Sequence, residues 1–132
     1  MDLIDEITEN LPEVYFDPDG LHAALGNLIS NAIDACQMGE NNNKKVFFRA
    51  NMNDNKILFE VEDNGVGMDH EIKQKVFTNF FTTKGTDGTG IGLLTTRKIV
   101  SQHGGEVVFN SELGQGSVFK LIFPIENLKK IK

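Results

Sequence analysis

Ile57-Leu58-Phe59-Glu60-Val61-Glu62-Asp63-Asn64-Gly65-Val66-Gly67 is the stretch that decides how this chain folds. Apolar and polar residues alternate through its first half, so Ile57, Phe59 and Val61 share one face of a strand, and by the same parity Asp63 falls on that face. A carboxylate is therefore expected to point inward at the end of a strand. An ionised Asp is costly to bury without hydrogen-bond donors, and the exocyclic amine of adenine is one candidate partner. Gly65 and Gly67 follow at once, and glycine lets backbone approach a ligand closely.

Working outward, Val46, Phe48, Ala50 and Met52 alternate with Phe47, Arg49 and Asn51, and Asn53-Asp54-Asn55 reads as a tight turn joining this strand to the next. Residues 39–45 are a polar turn. Before it, Asp17-Pro18 reads as a helix start, with Asp at the cap and Pro in the first turn. Leu21, Ala24, Leu25, Leu28, Ala32 and Ala35 recur at helical spacing as a buried stripe, and Asn27, Asn31 and Asp34 lie on an adjoining face. Residues 1–12 are polar and end at Pro12, which suggests a short lead-in or edge strand before Val14-Tyr15-Phe16. Downstream, residues 69–76 read as a short helix and 77–90 as a mobile loop. A helix is expected from about Ile91 to His103, stopped by Gly104-Gly105. Residues 106–110 and 117–123 then form a closing hairpin, and 126–132 a tail. This order implies an α+β fold, a two-layer sandwich whose mostly antiparallel mixed sheet carries its helices on one face.

At 132 residues, with 39% apolar and 24% charged side chains, the chain has the size and composition of one globular domain. A net charge of −6 argues against a nucleic-acid surface, which rests on Lys and Arg meeting phosphates. Cys36 is the single cysteine, which suits a reducing compartment. No apolar run approaches the ~20 residues needed to span a bilayer, and the first residues lack a basic signal-peptide start, so a cytoplasmic location is expected.

Five boxes stand in order: Asn31-Ala32-Ile33-Asp34-Ala35, Asp63-x-Gly65-x-Gly67, Phe77-Thr78-Asn79-Phe80-Phe81-Thr82-Thr83-Lys84, Gly88-Thr89-Gly90-Ile91-Gly92-Leu93, and Gly114-Gln115-Gly116-Ser117. Together they resemble the N, G1, F, G2 and G3 boxes of sensor histidine kinases, part of the ATPase superfamily that also holds gyrase B, the Hsp90 chaperones and MutL. The resemblance covers roughly residues 13–124. It implies the sandwich just described, the Bergerat ATP-binding fold, over a single catalytic domain spanning 1–132. It also implies the activity: Mg-ATP is bound, and its γ-phosphoryl group passes to a histidine on a separate dimerisation domain.

By that resemblance Asn31 would coordinate Mg²⁺ through its amide oxygen, a hard ligand for a hard cation. Asn27 stands where the hydrolysing relatives carry a glutamate acting as general base; Asn has no useful basicity, so hydrolysis should be slow. Asp63 would bind the adenine amine directly and Ser117, inward by parity with Phe119, Leu121 and Phe123, would reach adenine through water. Gly65, Gly67 and Met68 would line the nucleotide. Gly88, Thr89, Gly90, Ile91, Gly92 and Leu93 precede or open a helix, whose free N–H groups and positive end suit phosphate oxygens. Phe80 would pack the loop that closes over ATP. Lys84 is the nearest expected cation to the phosphates. Many histidine kinases carry Lys or Arg where this chain has Asp34, so Lys84 or Arg97 would have to replace that contact.

His70-Glu71-Ile72-Lys73 superficially resembles a phosphoacceptor box, but Lys75 stands where that box has Pro, and the segment lies directly behind the first glycine box. His103 reads as a dipole-compatible helix cap. The chain is thus expected to be the catalytic part of a longer kinase, a monomer lacking its own acceptor helices. Its expected partners are that dimerisation domain and a downstream response regulator, without nucleic acid or direct membrane contact. Two other readings remain open: an anti-sigma-type serine protein kinase, and a nucleotide-binding module without kinase activity.

Overall fold

The computed structural model describes residues 1–7, 16–76 and 92–128. Strand β1 (Asp2–Ile7) is followed by helix α1 (Pro18–Met38), strands β2 (Lys45–Asn53) and β3 (Lys56–Asp63), and the short helix α2 (His70–Lys75). Then come helix α3 (Gly92–Gln102), strands β4 (Glu106–Glu112) and β5 (Gly116–Pro124), and a 3-10 turn at Ile125–Leu128. The five strands form one sheet in the order β1-β2-β3-β5-β4. β1 runs parallel to β2 and the other neighbours are antiparallel, so the expected mixed sheet and its edge strand are both present.

Alternation does what it should. Val46, Ala50, Ile57, Val61, Phe119, Leu121 and Phe123 are buried on one face of the sheet. Ala24, Leu28, Ala32 and Cys36 meet them from α1, while Leu21, Leu25 and Ala35 sit half-buried at the edges of that stripe. Arg49, of opposite parity, lies away from the helices; its guanidinium bonds Glu60 and Glu62 at 2.7 and 2.6 Å and covers the Phe47 ring. The turn between β2 and β3 places Asp54 and Asn55 at φ 53° and 60°. Short polar side chains tolerate that left-handed conformation, and such a turn matches the twist of a hairpin.

Two expectations need correction. Residues 126–128 are not a tail: Leu128 is 2% exposed within the core, and the Asn127 amide donates to Gly104 O at 2.9 Å. Their polar look hid one buried leucine in a turn too short to show a period. His103 does cap the end of α3, but as a neutral ring. Its Nε2 accepts the Asp17 N–H at 3.0 Å, so the proton sits on Nδ1 and is donated to Ile99 O at 2.8 Å. Asp17 in turn occupies the cap position of α1 without a side-chain capping bond. Phe16 packs edge-on against Phe59 and Phe123 and beside His103, fastening the entry to α1 onto the sheet. Among the described residues no helix is long and apolar enough to cross a membrane.

Candidate functional site

Asp63 is the last residue of β3 and lies directly opposite Ser117 on β5. Both are buried, at 6% and 5% exposure, although both are polar and stand at a strand end. The parity argument therefore holds for each. Asp63 Oδ1 accepts the Gly65 N–H at 2.9 Å, and the carboxylate also accepts the backbone N–H of Ser117. These bonds only partly offset desolvation. Burial pushes the carboxyl up from 3.8 to about 6, with Glu62 adding to the rise and the two N–H donors opposing it. The nearby Cys36 thiol is pushed up as well, by its own burial first and by the Asp63 charge second.

The glycines around Asp63 are explained by the protein's own backbone. A Cβ on Gly65 would overlap the backbone of Ala35 and Cys36 in α1, and one on Gly67 or Gly116 would strike Glu112 O or Asp63 O. Gly67 and Gly116 also have φ of 68° and 112°, where other residues are strained. Through these contacts the Val66 N–H reaches Ala35 O at 3.0 Å and the Gly114 N–H reaches Val66 O at 2.7 Å. The turn after β3 is thereby clamped between the C-terminal half of α1 and the β4–β5 hairpin. Asn64 fixes the same turn from outside, accepting the Lys45 N–H at 2.8 Å and donating to Asn43 O at 2.7 Å.

Asn27 and Asn31 lie one turn apart on the same flank of α1 and are both half-buried. Asn27 Nδ2 donates to Thr96 Oγ1 at 3.4 Å, and that hydroxyl donates to Ala24 O at 3.4 Å. Thr96 is fully buried between α1 and α3, so Asn27 ties the two helices together whatever else it does. Among the described residues no group of three or more His, Cys, Asp and Glu side chains is placed to hold a metal ion. A cation here would need amide and ligand oxygens plus water, a donor set that suits Mg²⁺, which keeps several waters and bridges phosphates. Asn31 supplies an oxygen of that kind. Met68 packs against the core, and Leu93 does the same from the first turn of α3. Phe80, Lys84, Gly88, Thr89, Gly90 and Ile91 lie outside the described residues, as does the loop expected over 77–90; Gly92 opens α3.

Ser111 and Thr96 are the participants that sequence reasoning missed. Ser111 had a signal, since Val107, Phe109 and Ser111 share the inward parity of β4. Thr96 had none of comparable clarity: a lone threonine in an eleven-residue helix does not reveal which helix it meets.

Residues 16–127 match the model of the histidine kinase-, DNA gyrase B-, and HSP90-like ATPases. The chain belongs to this family. It is 34% identical to sporulation kinase E of Bacillus subtilis over 95% of its own length and 16% of that protein's. It is 38% identical to the sensor histidine kinase ZraS of Escherichia coli over 92% of its length and 25% of that protein's. It thus spans a quarter or less of these two relatives. Among solved structures, the nucleotide-free catalytic domain of histidine kinase ThkA superposes with a TM-score of 0.78 at 34% identity, over 96% of this chain and 81% of that one. Full-length ShkA in complex with AMPPNP superposes at 0.79 with 26% identity, over 99% of this chain and 26% of that one. The domain is of the histidine kinase catalytic type, and the expected sandwich is that of its relatives.

Proposed function

We propose that the domain binds Mg-ATP at the Asp63–Ser117 end of the sheet and donates the γ-phosphoryl group to a histidine on a separate dimerisation domain, within a sensor kinase that serves a response regulator. The observation that carries this reading is the buried Asp63 carboxylate, kept costly by desolvation and oriented by the Gly65 and Ser117 N–H groups. A buried acceptor of this kind gains most from a donor that arrives with a ligand, and an adenine amine is such a donor. The AMPPNP bound by ShkA supports the choice of adenine nucleotide.

In this reading Asp63 accepts the exocyclic amine, Ser117 meets the ring through water, and Gly65, Gly67 and Met68 form the wall beside the base. Asn31 offers its amide oxygen to Mg²⁺, which would neutralise phosphate charge. The residues at 84 and 88–93 supply donors to the phosphates, with Lys84 or Arg97 standing in for the basic residue that Asp34 replaces. In the transfer, the bond between the γ-phosphorus and the β,γ-bridging oxygen breaks as a phosphorus–nitrogen bond forms to the acceptor imidazole, leaving ADP. Asn27 offers no base to activate water, so the phosphoryl group is kept for the protein acceptor rather than lost to hydrolysis.

Isothermal titration with ATP, with and without Mg²⁺, tests the binding step. Absence of heat and of competition with a fluorescent nucleotide at millimolar ligand would overturn it. Incubation with γ-labelled ATP and a cognate dimerisation hairpin tests the transfer: acid-labile label is expected on the hairpin's histidine, not on His70, and Asn31→Ala should abolish it. Label on a serine of a small protein partner would instead favour the anti-sigma-type serine kinase.

A further inference from the structure

We propose that Ser111 is a positioning residue for the base pocket: it accepts the hydrogen bond donated by the Ser117 hydroxyl and so leaves the Ser117 oxygen an acceptor toward the ligand. The inference rests on the adenine-nucleotide reading above. It goes beyond that reading because Ser111 lies outside every glycine box.

Ser111 is 2% exposed, so its hydrogen bonds must be met within the protein. A hydroxyl has one proton and two lone pairs. Three groups surround Ser111 Oγ: the Met68 N–H at 2.9 Å, Gly116 O at 3.1 Å and Ser117 Oγ at 2.8 Å. The first can only donate and the second can only accept. One assignment satisfies all three. Ser111 donates its proton to Gly116 O, accepts from Met68, and uses its remaining lone pair for the proton of Ser117. Turning the Ser111 proton toward Ser117 would give up the bond to Gly116 O.

The rest of Ser111 is held just as firmly. Its carbonyl accepts from Lys73 Nζ at 3.0 Å, across from α2. One residue thereby joins the turn after Gly67, helix α2 and the β4–β5 hairpin. With the Ser117 proton turned inward, the sheet's end presents two neighbouring acceptors, the Asp63 carboxylate and the Ser117 oxygen. A base meeting both must bring hydrogen to each: its amine donates to Asp63. Its ring nitrogen N1, itself an acceptor, needs a water that donates one hydrogen to N1 and the other to Ser117 Oγ.

That division of labour gives a test in which merely structural damage reads differently. Binding of ATP, of 1-deaza-ATP (CH in place of N1) and of the triphosphate of purine riboside (no 6-amine) is measured by titration or competition for the parent and for Ser111→Ala and Ser117→Ala. The parent should prefer ATP over both analogues. Ser111→Ala frees the Ser117 hydroxyl, so its preference for ATP over 1-deaza-ATP should shrink by about five- to tenfold, the worth of one hydrogen bond. Its preference over the amine-lacking analogue, read by Asp63, should remain. Equal losses for all three ligands would mean that Ser111 only holds the fold together, and the proposal would fail. If Ser111→Ala does not fold, Ser117→Ala carries the same comparison: an unchanged preference for ATP over 1-deaza-ATP overturns the proposal. Failure of the parent to bind ATP at all would instead remove the reading on which it rests.

Discussion

Replacing Asp63 by Asn should stabilise the empty domain at neutral pH relative to its behaviour in acid, while weakening nucleotide. Folding lifts the Asp63 pKa from 3.8 to about 6, chiefly by burial. Between those values the folded state therefore holds more protons than the unfolded chain, so stability falls as pH rises through the window and is lowest above it. The full shift corresponds to about 3 kcal/mol against the folded state at pH 8, and about half of that remains at pH 5. Asn carries no such dependence. It adds a constant cost, since the amide replaces one of the carboxylate's two acceptor oxygens by an NH2 group that can only donate.

Urea unfolding of parent and Asp63→Asn at pH 5, 6, 7 and 8 separates the two effects. The difference in stability should move by about 1.5 kcal/mol in favour of the Asn variant between pH 5 and pH 8, whatever its constant offset. Nucleotide affinity should show the opposite face of the same chemistry. The parent should lose about tenfold in ATP affinity per pH unit below 6 as the carboxylate protonates, and the variant should be weak and flat throughout. A stability difference that does not change with pH would refute the claim that burial of the charge governs this site.

Gly65→Ala should destabilise the domain by about 3 kcal/mol in urea unfolding, because the new methyl must push α1 off the turn after β3 at Ala35 and Cys36; a loss under about 0.5 kcal/mol would show that the two backbones are not clamped. Gly26→Ala should do the reverse and stabilise by about 0.5–1 kcal/mol, since Gly26 is inside α1 and a Cβ there meets nothing within 4 Å. Leu128→Ala should cost about 2–4 kcal/mol by the same measurement, the penalty of a core leucine rather than of a tail residue.

Much of this was legible in the chain. Period-two alternation in residues 57–63 set the face of Asp63, and the same count set Ser117, because side-chain direction in a strand depends only on local backbone geometry. Likewise the stripe of α1 and the Gly104-Gly105 stop are local events, and α3 ends at Gln102 as the glycines require. What alternation could not give was the reason for the glycines. Sequence suggested room for a ligand; the fold shows Gly65, Gly67 and Gly116 filling contacts between backbone segments far apart in the chain.

By itself, then, the sequence determined helices α1 and α3, the faces of the central strands and the inward carboxylate, mostly consequences of periods of two to four residues. Only the tertiary structure decided that Ser111 stands against Ser117, that Thr96 receives Asn27, that the Asp17 N–H meets the His103 ring, and that Leu128 belongs to the core. Each of these is a meeting of groups whose separation in space is set by strand register and helix packing, and a hydrogen bond or a buried contact exists only when both partners arrive within about 4 Å.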